Sequence, residues 1–281
     1  MKSLIQLTKE DIKNIKVICF DSDGVSVPKG TEITETEDTL RVKTHTMPEY
    51  LLKKMIQLKK FYHLTFSSGR SLMFLDRMYG KILWENASLQ GEIGIFTLID
   101  GQVIQNEKFT PEILEVLNNI KVDLRILAKQ NKKIRGFEPK QFLITLHAFE
   151  DVPEVYDIVK KHDKNNELYN LWNGEAYDIG LKHLTKGTAL KNLCDYLGYD
   201  LSQAIAIGNG PNDKAMVDAA GISVTTDPTD LKTADFYTTK NLNLGGEELV
   251  DVLLKLNSWQ GPSLSISSLV ILACPESFVY T

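Results

Sequence analysis

The sequence lacks several features that would point to particular classes of protein. Its three cysteines, Cys19, Cys194 and Cys274, are odd in number and far apart, so they predict neither a disulfide framework nor a zinc site and favour a reducing, cytoplasmic location. A formal net charge of −5 without a basic stripe argues against nucleic acid binding. Apolar runs fall short of the roughly 18 residues of a membrane span. We therefore expect a small-molecule partner, with no nucleic acid and no membrane.

The sequence does contain enough apolar residues for a folded core, since 43% of its 281 residues are hydrophobic. Three short apolar runs each end abruptly in polar residues: Val17–Phe20, Leu64–Phe66 and Ala204–Ile207. Such runs are typical of strands buried on both faces. Helical patterns separate them, as at residues 186–197, and this alternation predicts an α/β fold with a Rossmann-like parallel sheet.

A different pattern occupies residues 91–182. Two hairpin signals, Asp100-Gly101 and Asn173-Gly174, join strand-like runs. Because antiparallel pairing differs from the pattern on either side, we predict a separate sheet here, in an α+β domain inserted into a core made of residues 1–90 and 183–258. Residues 259–281 contain no assignable element, and a disordered tail, an added strand and an artificial extension remain open.

Two carboxylates follow the first predicted strand directly. Asp21 and Asp23 lie two positions apart on an extended segment, so they face the same side, and Gly24 lets the chain turn away after them. In an open parallel sheet, ligands bind beyond the carboxyl ends of the strands. One carboxylate can attack a bound group there while the other handles the proton.

Other residues at these breaks suit a phosphate group. The hydroxyl of Ser68 and the main-chain N–H groups of the turn 67–70 can bind phosphate oxygens. Lys186 opens a predicted helix, where a cation opposes the helix dipole, so we expect its ammonium to be held there for an anion.

The last polar break offers oxygen atoms for a cation. Asn209, Asn212 and Asp213 follow the third apolar run, and with Asp21 they could hold a magnesium ion, which prefers hard oxygen ligands.

Four segments of the chain carry a resemblance to a known family. They are Asp21-Ser22-Asp23-Gly24-Val25, Phe66-Ser67-Ser68-Gly69-Arg70, Thr185-Lys186-Gly187-Thr188-Ala189-Leu190 and Gly208-Asn209-Gly210-Pro211-Asn212-Asp213. In this order, and each at the end of a predicted strand or the start of a helix, they strongly resemble the motifs of the haloacid dehalogenase superfamily. The insertion is placed like the larger α/β cap domain of that family.

The resemblance implies a role for each matching residue. Asp21 would be the nucleophile that forms an aspartyl-phosphate, Asp23 the general acid and base, and Ser68 and Lys186 would bind the transferring phosphoryl group. It also implies a Mg²⁺ cofactor. The predicted metal ligands are Asp21, Asp23, Asn209 and Asp213, and the predicted substrate contacts in the core are Ser68, Gly69, Arg70, Lys186 and Asn212.

One residue departs from the family pattern. Asn209 stands where the fourth motif usually has a metal-binding aspartate. An amide oxygen can still bind magnesium, but the site loses one negative charge, so we expect weaker metal binding, for which Asp213 could compensate.

A shorter match lies in the insertion. Glu138-Pro139-Lys140, followed by the stretch Leu143–His147, is similar to the caps of trehalose-phosphate phosphatases and related, Cof-like, sugar-phosphate phosphatases. Glu138 and Lys140 can each hydrogen-bond sugar hydroxyls, although an exposed ion pair would explain the same two residues.

These observations favour a Mg²⁺-dependent phosphoric monoester hydrolase that acts on a small phosphorylated metabolite, most simply a sugar phosphate. Two alternatives stay open. A phosphomutase of the phosphomannomutase type would share the nucleophile and the cap, and a non-catalytic binding protein would be consistent with Asn209. The sequence does not indicate an oligomeric state.

Overall fold

A computed structural model describes residues 1–36, 38–240 and 244–258 of the chain. The predictions for residues 259–281 lie outside this range. In chain order the strands are β1 (Lys2–Ser3), β2 (Val17–Asp21), β3 (Glu32–Glu35), β4 (Leu40–Lys43), β5 (His63–Ser67), β6 (Ala87–Gly91), β7 (Phe96–Ile99), β8 (Gln102–Gln105), β9 (Ile134–Phe137), β10 (Ile144–Ala148), β11 (Leu168–Trp172), β12 (Ala176–Leu181), β13 (Ala204–Gly208), β14 (Ile222–Thr225) and β15 (Phe236–Tyr237). The α-helices are α1 (Glu49–Leu58), α2 (Leu72–Tyr79), α3 (Pro111–Gln130), α4 (Glu154–His162), α5 (Lys186–Leu197), α6 (Lys214–Ala219) and α7 (Gly246–Ser258).

The main sheet confirms the predicted α/β class. Its strand order is β1-β15-β14-β13-β2-β5-β6-β7-β8, and the pairs from β1 to β6 are all parallel. The central strand β2 is buried along its whole length. Val17 and Cys19 pack on one face with residues of α5 and α6, whereas Ile18 and Phe20 pack on the other with residues of α1 and α7. Burial on both faces explains why this strand is a continuous apolar run.

The hairpin β7–β8 does not form the separate sheet that the sequence predicted. It extends the main sheet, because β7 pairs antiparallel with β6, Ser88 lying opposite Ile99. The sequence analysis did not assign β6, so the edge that accepts the hairpin was missing from the prediction. A change from parallel to antiparallel pairing needs only a short turn and does not require a new sheet.

A second sheet, with the order β11-β12-β10-β9, is entirely antiparallel. Helices α3 and α4 supply apolar side chains to its buried core, which includes Leu124 and Val155. Helix α3 begins after Thr110, whose hydroxyl accepts a hydrogen bond from Ile113 N at 3.4 Å. The α+β layer thus runs from α3 to β12, and the division of the chain into domains at residues 91 and 182 stays a prediction.

A short hairpin of β3 and β4, which the sequence analysis also left unassigned, lies between the two layers. It branches off after β2, and Glu35 at the end of β3 accepts a hydrogen bond from Phe137 N at 2.9 Å. Within the described ranges, no helix is long and apolar enough to cross a membrane.

We predict that His63 makes the fold sensitive to acid. His63 is 8% exposed, its Nε2 lies 2.9 Å from Ser88 Oγ, and burial lowers its pKa to about 4 from an ordinary 6.5. Between those values the unfolded chain binds a proton that the folded chain does not, so stability is lost as the pH falls through this window, by up to about 3 kcal/mol. Urea unfolding at several pH values should show a smaller loss in His63→Gln.

The exposed His45 provides the control, because His45→Gln should keep the pH dependence of the parent. Equal losses of stability in the parent and in His63→Gln would contradict this prediction.

Candidate active site

Three buried charged groups form the centre of the site. Asp21, the last residue of β2, is 6% exposed, and the first residue of α5, Lys186, is 1% exposed. Lys186 Nζ lies 2.5 Å from Asp21 Oδ1 and 2.6 Å from Asp213 Oδ1. The ammonium therefore bridges two carboxylates that come from different strand ends. The sequence predicted that Lys186 would be held for an anion. In the structure, the carboxylates of Asp21 and Asp213 provide the negative charge that it contacts.

The charges in this cluster do not balance locally. Burial raises the pKa of Asp21 to about 7, and repulsion from Asp213 and Asp23 adds to that rise, which Lys186 only partly offsets. Burial alone would lower the pKa of Lys186, but the two adjacent carboxylates raise it above its ordinary value. The ammonium is therefore charged, and the surplus of negative charge around Asp21 would be relieved by a further cation.

Asp213 organises the loop after β13. Its Oδ2 accepts hydrogen bonds from Asn209 N at 2.8 Å and Gly210 N at 3.1 Å, while Oδ1 receives Lys186. Both oxygens are thus engaged within the protein, so the predicted metal role of Asp213 would require one of these bonds to be shared. Asn212, on the same turn, is exposed.

Asn209 contacts the turn that follows Asp21. Its Nδ2 donates to the main-chain oxygen of Asp23 at 2.7 Å. The next residue, Gly24, has φ +81°, and a Cβ atom there would lie 2.6 Å from Asn209 Nδ2. Only glycine permits both this backbone conformation and this close approach.

Asp23 is held by a two-pronged contact with Arg70. Arg70 Nε donates to Asp23 Oδ2 at 2.9 Å and Nη2 donates to Oδ1 at 2.8 Å, and Nη2 also contacts the hydroxyl of Thr31. Arg70 is 9% exposed. This bidentate ion pair joins the turn after β2 to the turn that follows β5.

The turn at Ser68 is buried and already uses part of its hydrogen-bonding capacity. Ser68 N donates to Gln90 O at 3.0 Å, and Ser68 Oγ accepts from Arg70 N at 3.3 Å. The Ser68 hydroxyl can still donate its proton to a phosphate oxygen. The N–H groups of Ser68 and Arg70 already donate within the protein, so they could bind a phosphate only by sharing those hydrogen bonds. Gly69 lies in contact with Leu143, since an added Cβ would be 3.9 Å from its Cδ2.

The two cap residues singled out by the sequence lie buried near the core site. Glu138 is 7% exposed and the side chain of Lys140 is 3% exposed, so the ion pair between Lys140 Nζ and Glu138 Oε1, at 3.6 Å, is buried rather than exposed. Burial would raise the pKa of Glu138, but Lys140, His147 and the core residue Arg70 together lower it to about 2. Glu138 therefore lies close to Arg70, so this part of the second layer faces the turn at residues 67–70.

Polar atoms remain unpaired at this junction. Within the described part of the chain, Glu138 Oε1 and Arg70 Nη1 are buried without a hydrogen-bond partner. A cavity of about 300 Å³ is lined by Glu138 and by residues that include Lys121, Lys140 and Thr145. Unpaired buried polar groups beside a cavity are the features expected where a polar ligand binds.

The structure also adds residues that the sequence analysis missed. Thr31 contacts Arg70, and the carboxylates of Glu35 and Glu92 connect the core to the second sheet. For Glu92 a signal was available, because it directly follows β6 at the carboxyl edge of the parallel sheet. Thr31 and Glu35 lie in a hairpin that no pattern in the sequence indicated.

Comparisons with known proteins agree with this geometry. Residues 126–245 match the model of a family described as haloacid dehalogenase-like hydrolase. A structure described as a trehalose-6-phosphate phosphatase related protein superposes with a TM-score of 0.62 over 87% of this chain and all of the other, at 16% identity. A haloacid dehalogenase-like hydrolase from Bacteroides thetaiotaomicron has the same TM-score, with 15% identity, over 84% of this chain and 98% of that one. The family model covers less than half of the chain, and the two structures share its fold; the chain is therefore similar to haloacid dehalogenase-like hydrolases.

A curated relative is phosphoglycolate phosphatase from Methanopyrus kandleri. It is 27% identical over 161 residues, which are 56% of this chain and 66% of the relative. The chain thus spans just under two thirds of that relative, and a second phosphoglycolate phosphatase, from Methanobrevibacter smithii, is matched over 37% of its length.

Haloacid dehalogenase-like phosphatases generally use a divalent metal, and the sequence predicts one beside Asp21. No group of three or more His, Cys, Asp or Glu side chains in the described ranges could hold a metal. However, the carboxamide of Asn209 contacts the main-chain oxygen of Asp23, and Asp21 lies two residues before Asp23; all three groups offer hard oxygens. These residues fit Mg²⁺, with a lower ligand charge than two carboxylates would give and with the Asn209 amide turned to present its oxygen.

We predict that Lys186 stabilises the fold as well as the site. Lys186→Met would leave Asp21 and Asp213 buried without their cation, and breaking a buried pair in this way costs about 3–5 kcal/mol. The free energy of unfolding, measured in urea, should fall by that amount.

The matched control is Lys191→Met, which breaks an exposed pair with Asp195 on the same helix and should change stability by at most about 0.5 kcal/mol. Similar losses in the two variants would mean that the buried bridge contributes little.

Proposed function

We propose that the protein is a Mg²⁺-dependent phosphatase that hydrolyses a sugar phosphate through an aspartyl-phosphate on Asp21. The observation that carries this proposal is the buried Asp21 carboxylate, one oxygen of which is held by Lys186 while the other faces no hydrogen-bond donor among the described residues. An oriented carboxylate next to a fixed ammonium and a phosphate-binding turn is what covalent phosphoryl transfer requires.

The reaction would proceed in two steps. The Asp21 oxygen attacks phosphorus, the bond from phosphorus to the leaving oxygen breaks, and Asp23 gives a proton to that oxygen. Asp23 then takes a proton from a water molecule, which attacks phosphorus and releases phosphate and the Asp21 carboxylate. When bound, Mg²⁺ supplies positive charge that draws the phosphoryl oxygens towards Asp21.

Arg70 gives the two steps different requirements. Arg70 donates to both carboxylate oxygens of Asp23, whereas the first step needs a proton on one of those oxygens. A phosphoryl group offers the same guanidinium an alternative anionic partner. We infer that substrate draws Arg70 away from Asp23 and so allows the carboxyl group to take up its proton.

The second sheet favours a substrate with hydroxyl groups. Glu138 and Lys140 are buried beside the cavity of about 300 Å³, where they can accept from and donate to sugar hydroxyls. The structural likeness to a trehalose-6-phosphate phosphatase related protein supports a sugar phosphate, and the curated phosphoglycolate phosphatases make phosphoglycolate a necessary comparison. We also propose a cytoplasmic location, on the basis of the cysteine content.

The test is a screen of phosphorylated metabolites with Mg²⁺, read as released inorganic phosphate. Sugar phosphates should be hydrolysed faster than phosphoglycolate. Transfer of label between sugar positions without phosphate release would instead identify a phosphomutase, and the absence of both would favour a binding protein.

We predict that Asp21→Asn abolishes phosphate release, because it removes the attacking charge while keeping the size of the side chain. Asp23→Asn should slow the reaction by about 10²–10⁴-fold. Acid-quenched intact-mass measurements should detect a phosphorylated chain in the parent and not in Asp21→Asn. Undiminished turnover by purified Asp21→Asn would refute the nucleophile assignment.

We also predict that Asn209→Asp strengthens magnesium binding. The new carboxylate would face the main-chain oxygen of Asp23, so the variant should melt at a lower temperature in chelator and gain more stability from Mg²⁺ than the parent. The Mg²⁺ concentration for half-maximal stabilisation should fall by about tenfold or more, since a charged oxygen binds a hard cation better.

Asn212→Asp is the matched control, since it adds the same charge to an exposed position of the same loop. If both variants shift the magnesium midpoint equally, Asn209 is not a ligand and only the overall charge matters.

A further inference from the structure

The segment 137–143 carries Glu138 and Lys140, and carboxylates from the core bind it at both ends. One is Glu92, which lies in the loop after β6, and the other is Glu35, at the end of β3. Neither has a role in the chemistry proposed above. Both accept hydrogen bonds from main-chain N–H groups, so they fix the path of the segment rather than any one side chain.

Glu92 holds the C-terminal end of the segment. Its Oε1 accepts from Gln141 N at 2.8 Å, and its Oε2 accepts from Phe142 N at 2.8 Å and from Leu143 N at 3.0 Å. Glu92 is 2% exposed. Three N–H donors aimed at one buried carboxylate form a strong, charge-assisted contact, and no shorter or neutral side chain could accept all three bonds.

The same residue is tied to the phosphate-binding turn. Glu92 N donates to Arg70 O at 2.8 Å, and Ile93 N donates to Ser68 O at 2.9 Å. Glu92 has φ +52°, which is uncommon for a residue with a side chain. One residue therefore connects the turn that would bind the phosphoryl group to the segment that would bind the leaving group.

Glu35 holds the N-terminal end. Its Oε2 accepts from Phe137 N at 2.9 Å, and its Oε1 lies 3.3 Å from Arg125 Nη1 on α3. Gly136 allows this contact, because a Cβ atom there would lie 2.5 Å from Glu35 Cβ. The hairpin that carries Glu35 begins directly after Thr31, whose hydroxyl contacts Arg70. Both ends of the segment are thus connected, through Glu35 and Glu92, to elements that contact Arg70.

We propose that Glu35 and Glu92 are positioning residues that hold both ends of segment 137–143 and so set where Glu138 and Lys140 stand relative to the phosphoryl site. Because polar contacts to a leaving group depend on placement within about an ångström, these two carboxylates determine the preference for leaving groups that carry hydroxyls. The link to substrate preference rests on the proposed phosphatase function.

The first test compares substrates with and without hydroxyls on the leaving group. We would measure kcat/KM for trehalose 6-phosphate, glucose 6-phosphate and p-nitrophenyl phosphate in the parent, Glu92→Gln and Glu35→Ala. The ratio of the better sugar phosphate to p-nitrophenyl phosphate should fall by about 10- to 100-fold in each variant. A purely structural role would lower all three values together and leave the ratio unchanged, which would overturn the proposal.

Two further variants serve as controls. Glu35→Gln keeps an acceptor for Phe137 N–H and should retain most of the ratio that Glu35→Ala loses. Glu175→Gln changes an exposed glutamate of the second sheet and should leave the ratio unaltered. Glu35 is only partly buried, so its variants keep the test decisive if Glu92→Gln does not fold.

The second test needs no activity. Hydrogen exchange at individual amides should become faster at residues 141–143 in Glu92→Gln and at Phe137 in Glu35→Ala, while the amides of β2 exchange as in the parent. Unchanged exchange at those amides would overturn the proposal, whatever the enzyme assays show. If the parent hydrolyses p-nitrophenyl phosphate but neither sugar phosphate, the sugar part of the proposed function fails, and exchange still decides whether the carboxylates hold the segment.

Discussion

The bridge from Lys186 to Asp21 and Asp213 is the interaction on which the site depends. It joins the end of the central strand, the first turn of α5 and the loop after β13, and its three charged groups are all buried. Three charges taken out of water are tolerated only when they satisfy one another, so the three elements must meet in one arrangement. The same bridge orients the Asp21 oxygens and gives Asp213 the position from which it shapes the Asn209 loop.

Arg70 has a corresponding part at the boundary between the two layers. It binds Asp23 and Thr31 on the core side and lowers the pKa of Glu138 on the other side. A substrate phosphate would compete for this guanidinium. Substrate binding would therefore affect both proton transfer at Asp23 and the charge environment of Glu138 through the same side chain. The carboxylates of Glu35 and Glu92 make that connection structural as well as electrostatic, because they bond to main-chain groups of the opposite layer.

Much of the core was predictable because its residues obey local rules. The apolar runs became β2, β5 and β13, and helix α5 begins at Lys186 and ends at Leu197 as predicted. The hairpin β7–β8 was also recognised, but its place in the main sheet was not, since strand β6, with which it pairs across a short turn, was not assigned. Strand β9 was missed because its short, basic sequence resembles a solvent-exposed run.

The sequence by itself determined the fold class and the set of reactive residues. The polar residues at the ends of Val17–Phe20, Leu64–Phe66 and Ala204–Ile207 must lie at one edge, because parallel strands share their direction. Only the tertiary structure decided how these residues pair. It showed that Arg70 binds Asp23 and that the two oxygens of Asp213 accept hydrogen bonds from Lys186 and from the loop after β13. It also showed that Glu138 and Lys140 are buried. Such pairings depend on distances between segments far apart in the chain, and a sequence records which groups are present without recording which of them meet.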